Sequence, residues 1–288
     1  MPKSIISLSL GHSPDPDDIF LTYPILSGLV RLEDVDVQFF EVCLDIEILN
    51  KLVLADRLDV SAASVPAFLK ASRRYYLIRY GASVGYRYGP KIICRGDIFS
   101  SRAGEVVVAV PGLNTTARVL AEVFLRRVGL SKYLLVDVPH DKVTYLVKSG
   151  VTDCGVVIHE EQLVVENIFS GEFSVYDLGE WWYRETKLPI PLGVNIVSRR
   201  IGEDLARKIS SLYIRSIRYS LENFDSILNI SLKYSRVKNE NLVRKFIQMY
   251  VKPDPIGEEE LKAIRRLYEL SSSEKVLSLE EEPELVLV

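Results

Sequence analysis

The 288-residue sequence predicts an α/β protein of two lobes. Three observations predict it. Short β-rich runs alternate with segments of helical period. The chain is longer than one average domain of about 150 residues. No Gly-, Ser- or Pro-rich linker divides it, so a two-lobed chain must cross between its lobes twice. The extended stretches Pro90-Lys91-Ile92-Ile93 and Leu192-Gly193-Val194-Asn195-Ile196 are the candidate crossover strands. They give lobe 1 as residues 1–91 plus 196–288 and lobe 2 as 92–195, with a ligand cleft between them. A single larger α/β domain satisfies the same periodicity.

Taken in order, residues 5–10 read as a first strand. Asp15 then caps a helix, Pro16 takes its first position, Asp17 and Asp18 sit in its first turn, and Gly28 ends it. Residues 35–42 alternate as a second strand, and Asp45 opens a helix carrying Ile46, Leu49, Leu52 and Val53. Leu58-Asp59-Val60 leads through the small-residue turn Ser61-Ala62-Ala63-Ser64 to a helix start at Pro66. Residues 75–81 and 91–94 are extended. A second unit begins near Glu105, with a buried strand at 106–110, the turn Pro111-Gly112-Leu113-Asn114-Thr115-Thr116, and a helix with Val119, Leu120, Val123 and Phe124 inward. Residues 134–138 form a strand, 143–149 a short helix ended by Gly150, and 154–158 a strand running into His159. Residues 201–228 have one helical period with Arg and Lys outward, and 242–250 and 258–270 are two further helices. The tail, 279–288, either docks or frays.

Composition narrows the function. Apolar residues are 48% and charged residues 26%, enough to bury a core and too apolar for a disordered chain. Lys and Arg total 36 against 39 Asp and Glu, which argues against a nucleic-acid partner. No run approaches the roughly 18 apolar residues of a membrane span. The N-terminal stretch lacks the long apolar core and cleavage site of a signal peptide. The three cysteines, Cys43, Cys94 and Cys154, are odd in number and none forms a C-x-x-C, so they read as small buried hydrophobes in a reducing cytosol. A cytoplasmic protein with a small-molecule ligand is the expectation.

Three strand-to-helix turns carry small polar residues: Gly11-His12-Ser13, Ser61 to Ser64, and Asn114-Thr115-Thr116. Free amides at such turns receive a carboxylate, and hydroxyls add donors; the same residues also serve as plain helix caps. His12 follows a strand and is a weak candidate for a cleft-lining residue. His140, in Pro139-His140-Asp141-Lys142, reads as a surface or capping residue. His159 ends a strand and starts a helix. It reads equally as a cap or as a neutral general base beside a helix N-terminus. His159-Glu160 is not part of an H-E-x-x-H, because Leu163 takes the position of a second His; no zinc site is predicted. No phosphate-binding glycine loop or G-x-S-x-G is present. Trp181-Trp182-Tyr183 reads as packing or as an aromatic wall.

Several segments, in order between about residues 10 and 195, resemble one family. Gly11 to Phe20 resembles an opening S-P-C-P-N-D-T-F. Ile48-Leu49-Asn50 with Leu58-Asp59-Val60 and Ser64 is similar to L-N…D-V-T-K-I-S. Residues 81–90 resemble G-A-x-G-x-G-x-G-P, and Pro111-Gly112 with Thr115-Thr116-Ala117 resembles P-G-x-x-T-T-A. Residues 155–160 resemble G-V-I-I-H-E; residues 177–182 and 188–193 resemble D-L-G-x-W-W and L-P-L-P-L-G. These are motifs of the 1,4-dihydroxy-6-naphthoate synthase family of the futalosine route to menaquinone. The resemblance implies a type 2 periplasmic-binding-protein fold with a central cleft. The implied enzyme is a lyase that converts cyclic dehypoxanthinylfutalosine, a small-molecule carboxylate, to the naphthoate without a metal or redox cofactor. It places the proton acceptor at His159 and substrate contacts at Ala62, Ala63, Ser64, Thr116 and Ala117, with Thr115 in the same turn joining the candidate set. Ala62 stands where the family has Lys, Asp15 and Asp17 replace Cys and Asn, and Tyr250 to Asp254 departs from Y-V-N-x-x-T. A small-carboxylate solute-binding protein and a chorismate-dehydratase-like paralogue are the alternatives.

Overall fold

A computed structural model describes residues 5–98, 105–169 and 171–288. Residues 1–4 of the N-terminal stretch weighed above as a signal peptide lie outside them. In chain order the elements are β1 (Ile6–His12), α1 (Pro16–Leu26), β2 (Val37–Cys43), α2 (Ile46–Leu54), β3 (Val60–Ser64), α3 (Val65–Ala71), β4 (Tyr75–Leu77), β5 (Ser83–Gly85), β6 (Lys91–Arg95), β7 (Val106–Val110), α4 (Thr116–Arg127) and β8 (Tyr133–Asp137). Next come α5 (Val143–Lys148), β9 (Cys154–Val157), α6 (Val165–Ile168), β10 (Phe173–Asp177), α7 (Leu178–Thr186), β11 (Ile190–Ser198), α8 (Glu203–Glu222), α9 (Phe224–Tyr234), α10 (Glu240–Tyr250) and α11 (Glu258–Ser273). Short 3₁₀ turns lie at His140–Lys142, His159–Leu163 and Arg199–Ile201.

The helix starts arise from local chemistry. Asp15 precedes α1, with Pro16 in its first turn and Asp17 and Asp18 beside the positive end of the helix. Asp45 accepts from the Glu47 amide, Thr115 from Arg118, Asn239 from Leu242, and Asp177 from both Gly179 and Glu180. Gly28 and Gly150 lie just beyond α1 and α5 with positive φ, where a side chain would be strained.

The chain divides into two compact units. Unit 1 comprises Met1–Ser83, Gly193–Leu261 and Leu279–Val288. Its sheet runs β2-β1-β3-β11-β4, with β1 parallel to both neighbours and β11 antiparallel to β3 and β4. Leu8 and Leu10 from β1, Phe20, Leu21 and Ile25 from α1, and Ile209, Tyr213 and Ile217 from α8 meet in one core. Unit 2 comprises Val84–Leu192 and Lys262–Ser278. Its sheet runs β10-β6-β9-β7-β8, with β7 parallel to β8 and β9, and β6 antiparallel to β9 and β10. Ile93, Ala109, Val143, Val147 and Val157 lie in its core.

Three local expectations are corrected and one open alternative is settled. Ser61 to Ser64 is not a turn but most of β3, buried throughout; only Ser64 stands at a helix start, as the residue before α3. With β1 on one side and β11 on the other, this strand is central, and its small side chains fit tight surroundings: a Cβ on Gly11 would lie 2.7 Å from the Ser61 Oγ. Such a strand shows no alternation to read. The single helix expected over 201–228 is two, α8 and α9, broken at Asn223, whose side-chain amide donates to the Tyr219 carbonyl. The tail docks: Leu287 bridges Leu77, the Val288 amide donates to the Leu77 carbonyl, and the Ser210 hydroxyl donates to the Val288 carbonyl.

The third correction concerns the cysteines. Cys94 and Cys154 are buried, as expected of small hydrophobes, but they form a disulfide between β6 and β9. The strand register sets them directly opposite each other, with Cα atoms 4.1 Å apart. The neighbouring Arg95 amide bonds the Asp153 carbonyl, so Cys94 and Cys154 occupy the next, non-hydrogen-bonded pair, where side chains come closest. Cys43 is free.

Two motif segments meet in unit 2. A Cβ on Gly179 would lie 2.2 Å from the Tyr88 carbonyl carbon and 2.5 Å from the Gly89 nitrogen, so the start of α7 approaches the 88–89 backbone as only glycine permits. Trp182 is buried and donates from Nε1 to the Pro189 carbonyl, and the Trp181 ring lies edge-on to Phe124. Trp182 is a packing residue, and Trp181 is half-buried beside it.

Candidate functional site

In unit 2, His159 comes two residues after β9. It is not at the mouth of a regular helix: the residues after it form only a 3₁₀ turn and then the four-residue α6. The dipole of a long helix is therefore absent, and no helix field holds this imidazole neutral. A different feature replaces it. His159 has φ +58°, in the left-handed region. A non-glycine residue held there costs about 1–3 kcal/mol, which the surrounding structure must offset, and such residues cluster at functional sites. Its ring lies edge-on to that of His140, centroids 4.7 Å apart. His140 is only 7% exposed, so it is not a surface residue. Glu160 and Gln162, on the same turn, are buried as well.

The second group in unit 2 is the turn into α4. The Thr115 hydroxyl donates to the Gly112 carbonyl and accepts from the Arg118 amide, so it closes the turn and caps the helix. The Thr116 hydroxyl donates to the Leu192 carbonyl at 2.5 Å. Thr115, Thr116 and Ala117 are all buried. The polar hydrogen bonds of this turn thus hold its shape.

In unit 1, Ala62, Ala63 and Ser64 form the last three positions of β3 and are buried. Ser64 is fixed twice by one residue: its amide donates to the Asn50 Oδ1 at 2.9 Å, and its hydroxyl accepts from Asn50 Nδ2 at 3.0 Å. Asn50 is fully buried on α2. The sequence gives Asn50 no role beyond its place in the Leu49-Asn50 motif, because the contact depends on α2 packing beside β3. The β1–α1 turn is a further polar cluster. His12 Nδ1 lies 2.8 Å from the Ser13 carbonyl, the Ser13 amide donates to Asp18 Oδ2, and the Ser13 hydroxyl donates to Asp15. Burial raises the Asp18 carboxyl above its ordinary range, with Asp15 adding to the effect, against hydrogen bonds from Ser13.

The fold and the polar strand ends define a protein of the periplasmic-binding-protein-like class, α/β with a sheet in each unit. Solved structures bear this out. The chain superposes on the periplasmic aliphatic sulphonate binding protein of Escherichia coli with a TM-score of 0.65 at 10% identity, covering 97% of this chain and 90% of that one. A crystal structure of a protein from Archaeoglobus fulgidus is far nearer, with a TM-score of 0.84 and 28% identity over 94% of this chain and 98% of that one.

Within that class, residues 8–273 match the family model described as menaquinone biosynthesis, and the chain belongs to this family. Two curated relatives are named 1,4-dihydroxy-6-naphthoate synthase. The one from Thermus thermophilus is 30% identical over 91% of this chain and 93% of its own; the one from Streptomyces coelicolor is 26% identical over 93% and 94%. No helix among the described residues is long and apolar enough to cross a membrane.

Proposed function

We propose that this protein is a lyase that converts cyclic dehypoxanthinylfutalosine to 1,4-dihydroxy-6-naphthoate, with His159 as general base and no redox or metal cofactor in the reaction. The observation that carries the reading is the backbone of His159. The residue on which the family's proton acceptor falls is the one histidine with positive φ, held against a buried second histidine. Positive φ alone does not single it out, since Asp56, Arg87, Lys187 and Lys275 share it; its place in the family motif and its contact with the buried His140 do. Membership of the menaquinone family and the names of its relatives supply the chemistry.

In this reading the imidazole takes a proton from a hydroxyl or carbon of the sugar-derived part, the electron pair left behind breaks a carbon–carbon bond within that part, and the imidazolium returns the proton to the carbon that leaves with the pair. Ser64, oriented by Asn50, and Thr116 serve as substrate-binding residues. Ala62 and Ala63 accompany Ser64 in this role on β3, and Thr115 and Ala117 accompany Thr116 at the start of α4. The substrate is a small carboxylate, and a cytoplasmic location belongs to the same reading.

The test is His159→Ala in the purified protein, with product followed by mass spectrometry. Loss of a general base lowers turnover by about two to four orders of magnitude. Unchanged turnover would return His159 to a structural role. A wild-type protein that binds a carboxylate reversibly and yields no naphthoate would instead be a solute-binding member of the same fold.

A further inference from the structure

The β1–β2 edge of unit 1 assembles three different metal-ligating side chains outside the groups assigned to the reaction. The strands are parallel, and the register pairs His12 with Cys43. Paired residues on neighbouring strands share a face, and so do Cys43 and Glu41 two positions apart. One face therefore carries an imidazole, a thiol and a carboxylate. Their ligand atoms all lie within 4.8 Å of one another, with His12 Nε2 3.2 Å from Glu41 Oε1.

The His12 tautomer is set by its surroundings. Nδ1 lies 2.8 Å from the Ser13 carbonyl, which only accepts, so Nδ1 carries the hydrogen. In the neutral ring, Nε2 then presents its lone pair to the Glu41 carboxylate. Two acceptors 3.2 Å apart require a cation between them, a proton or a metal ion. An imidazole whose Nδ1–H is anchored on a backbone carbonyl while Nε2 faces a carboxylate and a thiol has the outer-shell arrangement of a metal-ligating histidine. The ring is fully buried, so its orientation is fixed by packing.

The field around the thiol has the matching sign. Glu41, Asp18 and Asp15, all acidic, are the charged groups that act on Cys43, a field that favours a bound cation. A divalent ion in turn stabilises the thiolate form of a ligating cysteine. Cys43 is the one cysteine outside the disulfide, and it is half-buried rather than sealed in the core.

We propose that His12, Glu41 and Cys43 form a three-ligand site for a zinc-class divalent ion at the carboxyl ends of β1 and β2. The mixed nitrogen, oxygen and sulfur set selects a borderline ion over calcium or magnesium, which take oxygen ligands. Three protein ligands leave a fourth, open position for water or a small anion. The site is independent of the role proposed for His159, since no residue is shared.

The test uses Co²⁺ alone as probe on the full chain, first stripped with chelator, with the disulfide intact. The expected result is one ion per chain, reported by a thiolate-to-cobalt charge-transfer band and displaced by Zn²⁺. Cys43→Ala abolishes the band, and Glu41→Gln, at a half-exposed side chain, weakens binding at least tenfold; circular dichroism is unchanged in both. Absence of the band at one equivalent of Co²⁺, or equal affinity in wild type and Glu41→Gln, would overturn the proposal and leave His12–Glu41 as an ion pair.

Discussion

Replacing both Cys94 and Cys154 with Ala removes the cross-strand disulfide without adding a polar group to a buried site. The two residues are 60 positions apart in the chain. Closing a loop of that length takes about 14 cal/mol/K of entropy from the unfolded ensemble, or about 4 kcal/mol at room temperature. The two lost sulfurs also leave unfilled space between β9 and its neighbours, which acts in the same direction. The expected loss of stability is thus about 4–5 kcal/mol, the upper end of the span of about 2–5 kcal/mol seen when native disulfides are removed. Urea unfolding of the oxidised wild type, the reduced wild type and the double variant reads it. Thiol titration of the denatured, unreduced protein supplies the control: one reactive thiol, Cys43, rising to three after reduction. Three thiols without reduction, or superimposable unfolding curves for all three samples, would refute the reasoning.

Two other perturbations test the packing. Tyr213 is fully buried on α8, and among the described residues its hydroxyl has no hydrogen-bond partner. Tyr213→Phe removes that desolvated group while keeping the ring, and stability rises by about 1–3 kcal/mol in urea unfolding; a fall of the same size would reveal a partner for the hydroxyl. Burial raises the Asp177 carboxyl above its ordinary value of 3.8, against the Glu180 and Gly179 amides and Lys91, which favour the charged form. A group raised in this way contributes stability fully present below its unfolded value and lost as pH rises through the folded one. Asp177→Asn retains the cap, so the variant gains on wild type as pH rises above about 3.8, whereas a gap that stays constant with pH would contradict the assignment.

How much is legible in the sequence differs by element for physical reasons. The α1 start can be read because Asp15, Pro16, Asp17 and Asp18 act locally, within one turn of chain. The same holds for Asp45 and for Gly150. The β3 strand reads as a turn because Ser61 to Ser64 owes its extended form to neighbours on both sides, and small residues also suit a turn. The Cys94–Cys154 bond needs β6 and β9 to be adjacent, a fact of topology that neither cysteine's local sequence contains. His159 stands out in the sequence as the end of a strand, but its positive φ and its contact with His140 arise from packing over 19 residues of chain. His140 reads as a surface residue because Asp141 and Lys142 flank it. The Asn50–Ser64 pair is hidden for the same reason as the disulfide: its two halves carry no mutual signal until α2 packs on β3.

The most direct measurement of the central claim is a single incubation of purified wild-type protein with cyclic dehypoxanthinylfutalosine, analysed by mass spectrometry. The wild-type reaction is expected to yield 1,4-dihydroxy-6-naphthoate, and His159→Ala at least a hundredfold less in the same time. Substrate recovered intact from the wild-type reaction, or equal product from both proteins, would contradict it.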